Sequence, residues 1–212
     1  MTAVIFDLDG TLLDTLEDLT DATNAALTAF GYPQRSLEEV RQFVGNGAPR
    51  LLELAVPEGV EYQPVLAWFK AYYDAHCRIK TGPYPGILEA LNQIGTEYPV
   101  AIVSNKPDSA VKALCAEYFP GIFALGEHDG CKRKPAADMV FLAMEAIGAD
   151  DCVYVGDSEV DVATAKNAGV PCLSVLWGFR EQAVLEQAGA AYFCAHPEEL
   201  PDGIRHILSR EK

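Results

Sequence analysis

The apolar positions of the chain change period several times along its length. The first run, Val4-Ile5-Phe6, is short and continuous and stops at Asp7, with Gly10 close behind, which predicts a buried strand. From Thr15 to about Tyr32 the spacing becomes helical: Leu16, Leu19, Ala22, Ala26, Leu27 and Phe30 recur at three- and four-residue steps, and Gly31 and Pro33 close the element. Ser36 with Glu39 reads as a capping box opening a second helix. Gly45-Asn46-Gly47 interrupts, residues 48–56 predict a third helix, and Pro64 opens a fourth that runs to about Ile79. Residues 14–83 therefore read as helices with no strand.

Beyond the punctuated connector of residues 81–86 the period alternates between strand and helix. Strands are expected at 100–103, 122–125, 152–155 and 173–176. Helices are expected at 108–118, at 136–147 with Pro135 at the start and Gly148 at the end, and at 159–168. A strand-like stretch at 191–194 and a final helix follow. Such alternation means parallel strands joined by helical crossovers, hence an α/β protein with a Rossmann-like parallel sheet. The first strand belongs with the later ones. The expected division is a core of residues 1–13 and 84–212, with an all-helical insertion at 14–83.

Composition narrows the function classes. Half of the 212 residues are hydrophobic, enough for a core and a small accessory unit. The formal net charge of −15 repels nucleic acid and anionic membrane surfaces, so neither is an expected partner. A small anionic substrate would need a local cationic site. The six cysteines form no C-x-x-C pair and no zinc-like spacing with the histidines, and they read as buried thiols of a reducing compartment. No basic-then-apolar leader pattern appears at the N-terminus, and no apolar run approaches membrane-spanning length. The expected location is the cytoplasm.

Ligands of open parallel sheets bind at the carboxyl ends of the strands. The residues after three of the apolar runs are Asp7-Leu8-Asp9, Ser104-Asn105-Lys106 and Gly156-Asp157-Ser158 with Asp161 beyond. One polar strand end is ordinary turn chemistry; three on one sheet edge point to a site. Asp157 and Asp161, four apart at a helix start, repel each other unless a cation lies near. With Asp7 they suggest a hard cation such as Mg²⁺, which is held by one or two carboxylates together with a substrate phosphate. Asp157 also reads as a helix N-cap. Lys132-Arg133-Lys134 reads on charge alone as a solvated basic turn, while Lys134 ahead of a helix N-terminus suits a bound phosphate.

In order, Asp7-x-Asp9-Gly10-Thr11, Ser104-Asn105, Lys134-Pro135 and Gly156-Asp157-Ser158-x-x-Asp161 resemble the haloacid dehalogenase superfamily of phosphohydrolases, across residues 7–161. Residues 14–83 sit where that superfamily carries a helical cap. Val44-Gly45-Asn46-Gly47-Ala48, Asn105-Lys106-Pro107 and Trp177-Gly178-Phe179-Arg180 resemble its phosphoglycolate phosphatase group. The resemblance implies Asp7 as nucleophile and Asp9 as proton donor and acceptor. It implies Mg²⁺ held by Asp7, the Asp9 backbone carbonyl and Asp157, and phosphate bound by Ser104, Asn105 and Lys134. Asp161 would position Lys134 or the metal's waters, and Gly10 and Thr11 would shape the turn. Lys132 and Arg133 are competitors for the Lys134 role. Asn46, Arg50, Lys106 and Arg180 are candidates for substrate specificity, although each also reads as a surface charge or, for Asn46, a helix–helix turn. The implied partner is a small phosphorylated metabolite, first 2-phosphoglycolate, with pyrophosphate or a nucleoside monophosphate as alternatives and a monomer or homodimer as the assembly. A non-enzymatic phospho-acceptor module uses similar residues. Asp9 and the cap argue against it, because a second carboxylate activates water and a signalling module needs no chamber.

Overall fold

A computed structural model describes residues 1–210. Strand β1 (Thr2–Phe6) leads into a two-residue strand, β2 (Leu13–Asp14), and then into helices α1 (Leu16–Ala29), α2 (Leu37–Phe43), α3 (Gly47–Ala55) and α4 (Gln63–His76). Strand β3 (Gly82–Pro83) pairs antiparallel with β2 and returns the chain to the sheet side. Helix α5 (Ile87–Gly95), strand β4 (Val100–Pro107), helix α6 (Asp108–Tyr118), strand β5 (Phe123–Glu127) and helix α7 (Asp138–Ile147) follow. Strand β6 (Asp151–Gly156), helix α8 (Glu159–Ala168), strand β7 (Cys172–Val175), helix α9 (Gln182–Ala188), strand β8 (Tyr192–Cys194) and helix α10 (Leu200–Arg210) complete the described chain.

The main sheet has six strands in the order β5-β4-β1-β6-β7-β8, and every pairing in it is parallel. Both faces are covered, which is why the strands read as unbroken apolar runs. Val4 and Phe6 join one buried cluster, while Ala3 and Ile5 point the other way, into a cluster with Met139, Val140 and Ala143 of α7. The edge-on consequence matters most: β4 and β6 flank β1, so the carboxyl ends of all three lie side by side.

Several expectations change. The segment expected to hold no strand begins and ends in the β2–β3 ladder, where the chain leaves and re-enters the sheet region at one point. Helices α5 and α9 add to the expected elements, and α5 carries buried Ile87, Ala90, Leu91 and Ile94 at helical spacing. Strand β4 continues through Ser104-Asn105-Lys106, because Pro107 still pairs with Glu127 past an irregularity. Helix α7 starts at Asp138, so Pro135 does not open it. The side chain of Asn105 takes both the N–H and the C=O of Lys134, which holds that backbone in a turn. Among the cysteines, Cys131 and Cys172 are half-buried rather than buried.

Asp18, in the first turn of α1, accepts backbone N–H groups from Ile79, Lys80 and Thr81 at 2.9–3.0 Å, which fastens the returning connector to the first helix. An acid early in a helix reads from sequence as a dipole partner, but here it is buried and spent on the connector. Asp18→Ala is expected to lower unfolding free energy by about 1–3 kcal/mol. Urea titration measures this; an unchanged midpoint would show that the connector is held by its other contacts.

Candidate active site

Strand β1 does not stop pairing at Phe6, since Asp7 N–H still donates to Val155 O at 2.8 Å. The acid that follows the strand is thereby held as firmly as the strand. Gly10 then turns the chain at φ +80°, and a Cβ on it would overlap the Asp157 carboxylate. Thr11 Oγ1 donates to Asp157 Oδ1 at 3.3 Å. The turn after β1 and the end of β6 are thus built against one another.

Asp7, Asp157 and Asp161 are buried, and one carboxylate oxygen from each lies within 4.8 Å of the others. Lys134 Nζ pairs with Asp7 Oδ1 and Asp161 Oδ1, both at 2.8 Å. Lys134 itself is buried, with Tyr154 hydroxyl 3.1 Å from its ammonium. Lys132 and Arg133 do not line this chamber; Arg133 pairs with Glu127 at 3.6 Å. Both oxygens of Asp161 are taken. Oδ1 accepts from Lys134 and Tyr154, and Oδ2 accepts from the Ser158 N–H and hydroxyl. Ser158, not Asp157, is the N-cap of α8, and Asp157 lies before that helix rather than on a shared face with Asp161. Asp157 Oδ2 accepts from Phe179 N–H at 2.7 Å. Asp7 Oδ1 also accepts from Leu8 N–H at 2.7 Å, and Asp7 Oδ2 has no protein donor among the described residues.

Asp9 stands in a second group. Its Oδ1 accepts from Thr15 Oγ1 at 2.6 Å and pairs with Lys106 Nζ at 2.8 Å, and its Oδ2 accepts from Ser104 Oγ at 3.4 Å. Lys106 Nζ also donates to the Tyr73 hydroxyl at 2.7 Å, so a residue of α4 reaches the sheet edge. Burial pulls the Lys106 ammonium down, but Asp9 and Tyr73 hold it above its ordinary range. Asp161 and Asp7 do the same for Lys134 against its burial. Both lysines carry full charge.

Asp7, Asp9, Tyr73, Ser104, Lys106, Lys134 and Asp157 line one chamber of about 50 Å³, and Asp161, Thr15 and Tyr154 are not part of its lining. Its floor is the sheet edge, and its roof is apolar, from Leu19, Ala48, Leu51 and Phe69. Of the four specificity candidates, Lys106 and Arg180 line the chamber. Asn46 and Arg50 do not, and Arg50 instead pairs with Glu53 on the exposed side of α3. Arg180 is committed to Glu159 and to backbone carbonyls of residues 41–44. The side chain of Asn105 is likewise spent, on Lys134 and on Gly45 O. Sequence reasoning passed over Thr15, Tyr73 and Tyr154. The two tyrosines follow apolar periodicity, Phe69 and Tyr73 one turn apart and Val153-Tyr154-Val155 within a strand, and nothing local marks where their hydroxyls point.

Charge balance makes a fit test for a cation. Three buried carboxylates face one lysine, which leaves two negative charges in the Asp7, Asp157 and Asp161 group. Burial and then Asp161 raise the Asp7 carboxyl well above the usual range, and the same two causes push Asp157 up to about 7. A divalent hard cation on oxygen ligands fits that deficit. Asp161 accepts two donors on each oxygen, whereas each Asp157 oxygen accepts one and Asp7 Oδ2 none among the described residues, so Asp7 and Asp157 keep the lone pairs to hold it. An acid raised in the fold costs nothing below the unfolded value and destabilises as pH rises through the folded one. The metal-free protein should therefore lose stability between about pH 4 and pH 7, by on the order of a few kcal/mol. Mg²⁺ should restore it, and Asp157→Asn should flatten the pH dependence and remove the Mg²⁺ response. Thermal unfolding with and without EDTA reads both; a Mg²⁺ response that survives in Asp157→Asn would exclude Asp157 as a ligand.

The chain matches a described family and is similar to several named proteins. A family model described as haloacid dehalogenase-like hydrolase matches residues 4–175. A protein named phosphoglycolate phosphatase 1 from Pseudomonas aeruginosa is 36% identical, the match covering 97% of this chain and 78% of that protein. A phosphoglycolate phosphatase from Cereibacter sphaeroides is 34% identical, over 99% of this chain and all of its own length (100%). The crystal structure of a Lactobacillus delbrueckii protein, provisionally named a phosphoglycolate phosphatase, superposes with a TM-score of 0.90 at 39% identity, over 96% of this chain and 98% of that one. The chain belongs to the haloacid dehalogenase-like hydrolases and, within them, to the phosphatases.

Proposed function

We propose that the protein is a Mg²⁺-dependent phosphomonoester hydrolase that works through an aspartyl-phosphate on Asp7 and acts on 2-phosphoglycolate or a phosphate ester of similar size. The observation that supports this most is the state of Asp7. Asp7 lines the chamber; one of its carboxylate oxygens is fixed by Leu8 N–H and Lys134, and the other has no protein donor among the described residues. That is how a nucleophile is oriented by one atom and reactive through the other.

In this reading the phosphoryl oxygens of a bound ester meet the Lys134 ammonium, the Ser104 hydroxyl and the Asn105 backbone N–H, which spread and neutralise the equatorial charge. Asp7 attacks phosphorus, the bond to the ester oxygen breaks, and Asp9 delivers a proton to the departing alkoxide. Water then attacks the aspartyl-phosphate, Asp9 takes up its proton, and Asp7 is regenerated as phosphate leaves. Thr15, Ser104 and Lys106 hold the Asp9 carboxylate in place for both transfers. Held by Asp7, Asp157 and the Asp9 carbonyl, Mg²⁺ would offset the repulsion between the anionic nucleophile and the anionic ester. Asp161 keeps Lys134 in position. Gly10 and Thr11 keep the turn against Asp157.

Residues 14–83 form the cap in this reading and residues 1–13 and 84–212 the core. The cap contributes the apolar roof, and Lys106 with Tyr73 provides a cationic, polar wall suited to a small carboxylate. The relatives named phosphoglycolate phosphatase support the same choice. Cytoplasmic location is part of the proposal, supported by six free thiols. No helix among the described residues is long and apolar enough to cross a membrane. A phosphate-release screen over 2-phosphoglycolate, sugar phosphates, nucleoside monophosphates and pyrophosphate, with Mg²⁺ or with EDTA, tests the substrate. The highest kcat/KM should belong to 2-phosphoglycolate and vanish with EDTA. A preference for a nucleotide or for pyrophosphate would overturn the assignment.

A further inference from the structure

Arg180 was a candidate for binding substrate, and its hydrogen bonds give it a different task. Its Nε donates to Glu159 Oε2 at 2.8 Å, Nη1 to Arg41 O at 2.9 Å, and Nη2 to Val44 O at 2.6 Å and Gln42 O at 3.4 Å. The three carbonyls belong to the carboxyl end of α2, where helix acceptors lack partners and a cation is favoured. In the opposite direction, Arg41 Nη2 on α2 donates to Gly178 O at 3.0 Å. Two arginines therefore cross the boundary between the helical segment and the sheet side, each satisfying backbone carbonyls on the opposite side. The Arg180 side chain is 12% exposed, so these bonds are little screened by solvent.

The backbone between the two crossings is joined to the site. Phe179 N–H donates to Asp157 Oδ2 at 2.7 Å, and Trp177 Nε1 donates to Thr11 O at 3.0 Å. A Cβ on Gly178 would overlap the Asp157 side chain, so that backbone packs directly against the acid. Residues 177–180 thus touch the helical segment on one side and Asp157 on the other.

We propose that Arg41 and Arg180 form a reciprocal clasp that holds residues 14–83 seated on the core, and that the clasp positions Asp157 through Phe179 N–H. Arg180 is in this account a positioning residue. The proposal deepens the phosphatase reading and rests on it for its kinetic arm alone. A bound ester and the clasp would compete if Arg180 served as the substrate's cation, because its guanidinium would first have to release the α2 carbonyls. With a clasp, the two act in the same direction.

The test combines amide hydrogen exchange with kinetics on Arg180→Ala, Arg41→Ala, the double variant and Arg180→Lys. Exchange should rise at least about tenfold in residues 40–48 and 177–180, while β1 and β6 keep wild-type protection. KM for 2-phosphoglycolate and the Mg²⁺ concentration for half activation should both rise about tenfold, more than kcat falls. The double variant should be little worse than Arg180→Ala, since both break one clasp. Arg180→Lys should recover part of the protection and of the Mg²⁺ response, because a cation remains near the carbonyls. Unchanged exchange at 40–48 in Arg180→Ala, or single effects that add in full, would overturn the proposal. If Arg180→Ala does not fold, Glu159→Gln, which frees Nε alone, gives the same readings at smaller size. If the wild-type protein releases no phosphate, the exchange arm still decides the clasp, and only the proposed function fails.

Discussion

Asp7→Asn is expected to lower phosphate release by at least about 10⁴-fold in kcat while the fold persists. The amide is close in shape to the carboxylate and can still accept from Leu8 N–H, so the end of β1 keeps its geometry. It lacks the anionic oxygen that would attack phosphorus. The substitution also removes one of the three buried negative charges gathered at Asp7, Asp157 and Asp161. Burial and Asp161 disfavour that charge in the metal-free fold, so the unfolding temperature at pH 8 should equal or exceed that of the wild-type protein. Loss of activity together with loss of stability would point to a structural role instead. Activity within tenfold of wild type would remove Asp7 from the chemistry.

Asp9→Asn is expected to slow turnover by about 10²–10⁴-fold, the usual worth of a positioned acid and base. Thr15, Lys106 and Ser104 hold the Asp9 carboxylate at three points, so the defect should lie in kcat rather than KM. The two proton transfers can be separated by choice of leaving group. An aryl phosphate departs without a proton, so the first step should survive in Asp9→Asn and only hydrolysis of the phospho-enzyme should stall. A burst of phenolate near one equivalent per site, followed by slow turnover, is the expected trace. Equal slowing with aryl and alkyl esters, and no burst, would deny Asp9 both roles.

The parts of this arrangement that were legible in the sequence share a physical origin. Strands buried on both faces must be apolar without interruption, so Asp7, Ser104 and Asp157 stood out as polar breaks at strand ends. The helical segment was legible through its period and through the Ser36–Glu39 capping box, which the structure contains. What stayed hidden depends on contacts between distant residues. Leu13-Asp14 carries no strand signal and pairs only because Gly82-Pro83 returns to it. Lys134 reads on charge alone as part of a surface turn and is placed in the site by the family resemblance; its burial between Asp7 and Asp161, with Asn105 holding its backbone, depends on residues far away in sequence. Tyr73 follows the apolar face of α4, and only the placement of that helix over the site brings its hydroxyl to Lys106. Arg180 offered a charge without a direction; the carbonyls it caps lie more than a hundred residues away along the chain.

The central claim, a covalent phosphoryl group on Asp7, is tested most directly by trapping it. Asp9→Asn protein mixed with an aryl phosphate and Mg²⁺ is quenched in acid within the burst and reduced with borohydride, which converts an aspartyl-phosphate to homoserine. Peptide mass spectrometry should then find homoserine at position 7 and at no other aspartate, and none when EDTA replaces Mg²⁺. Phosphate released under those conditions with no homoserine formed, or homoserine at any other position, would contradict the account.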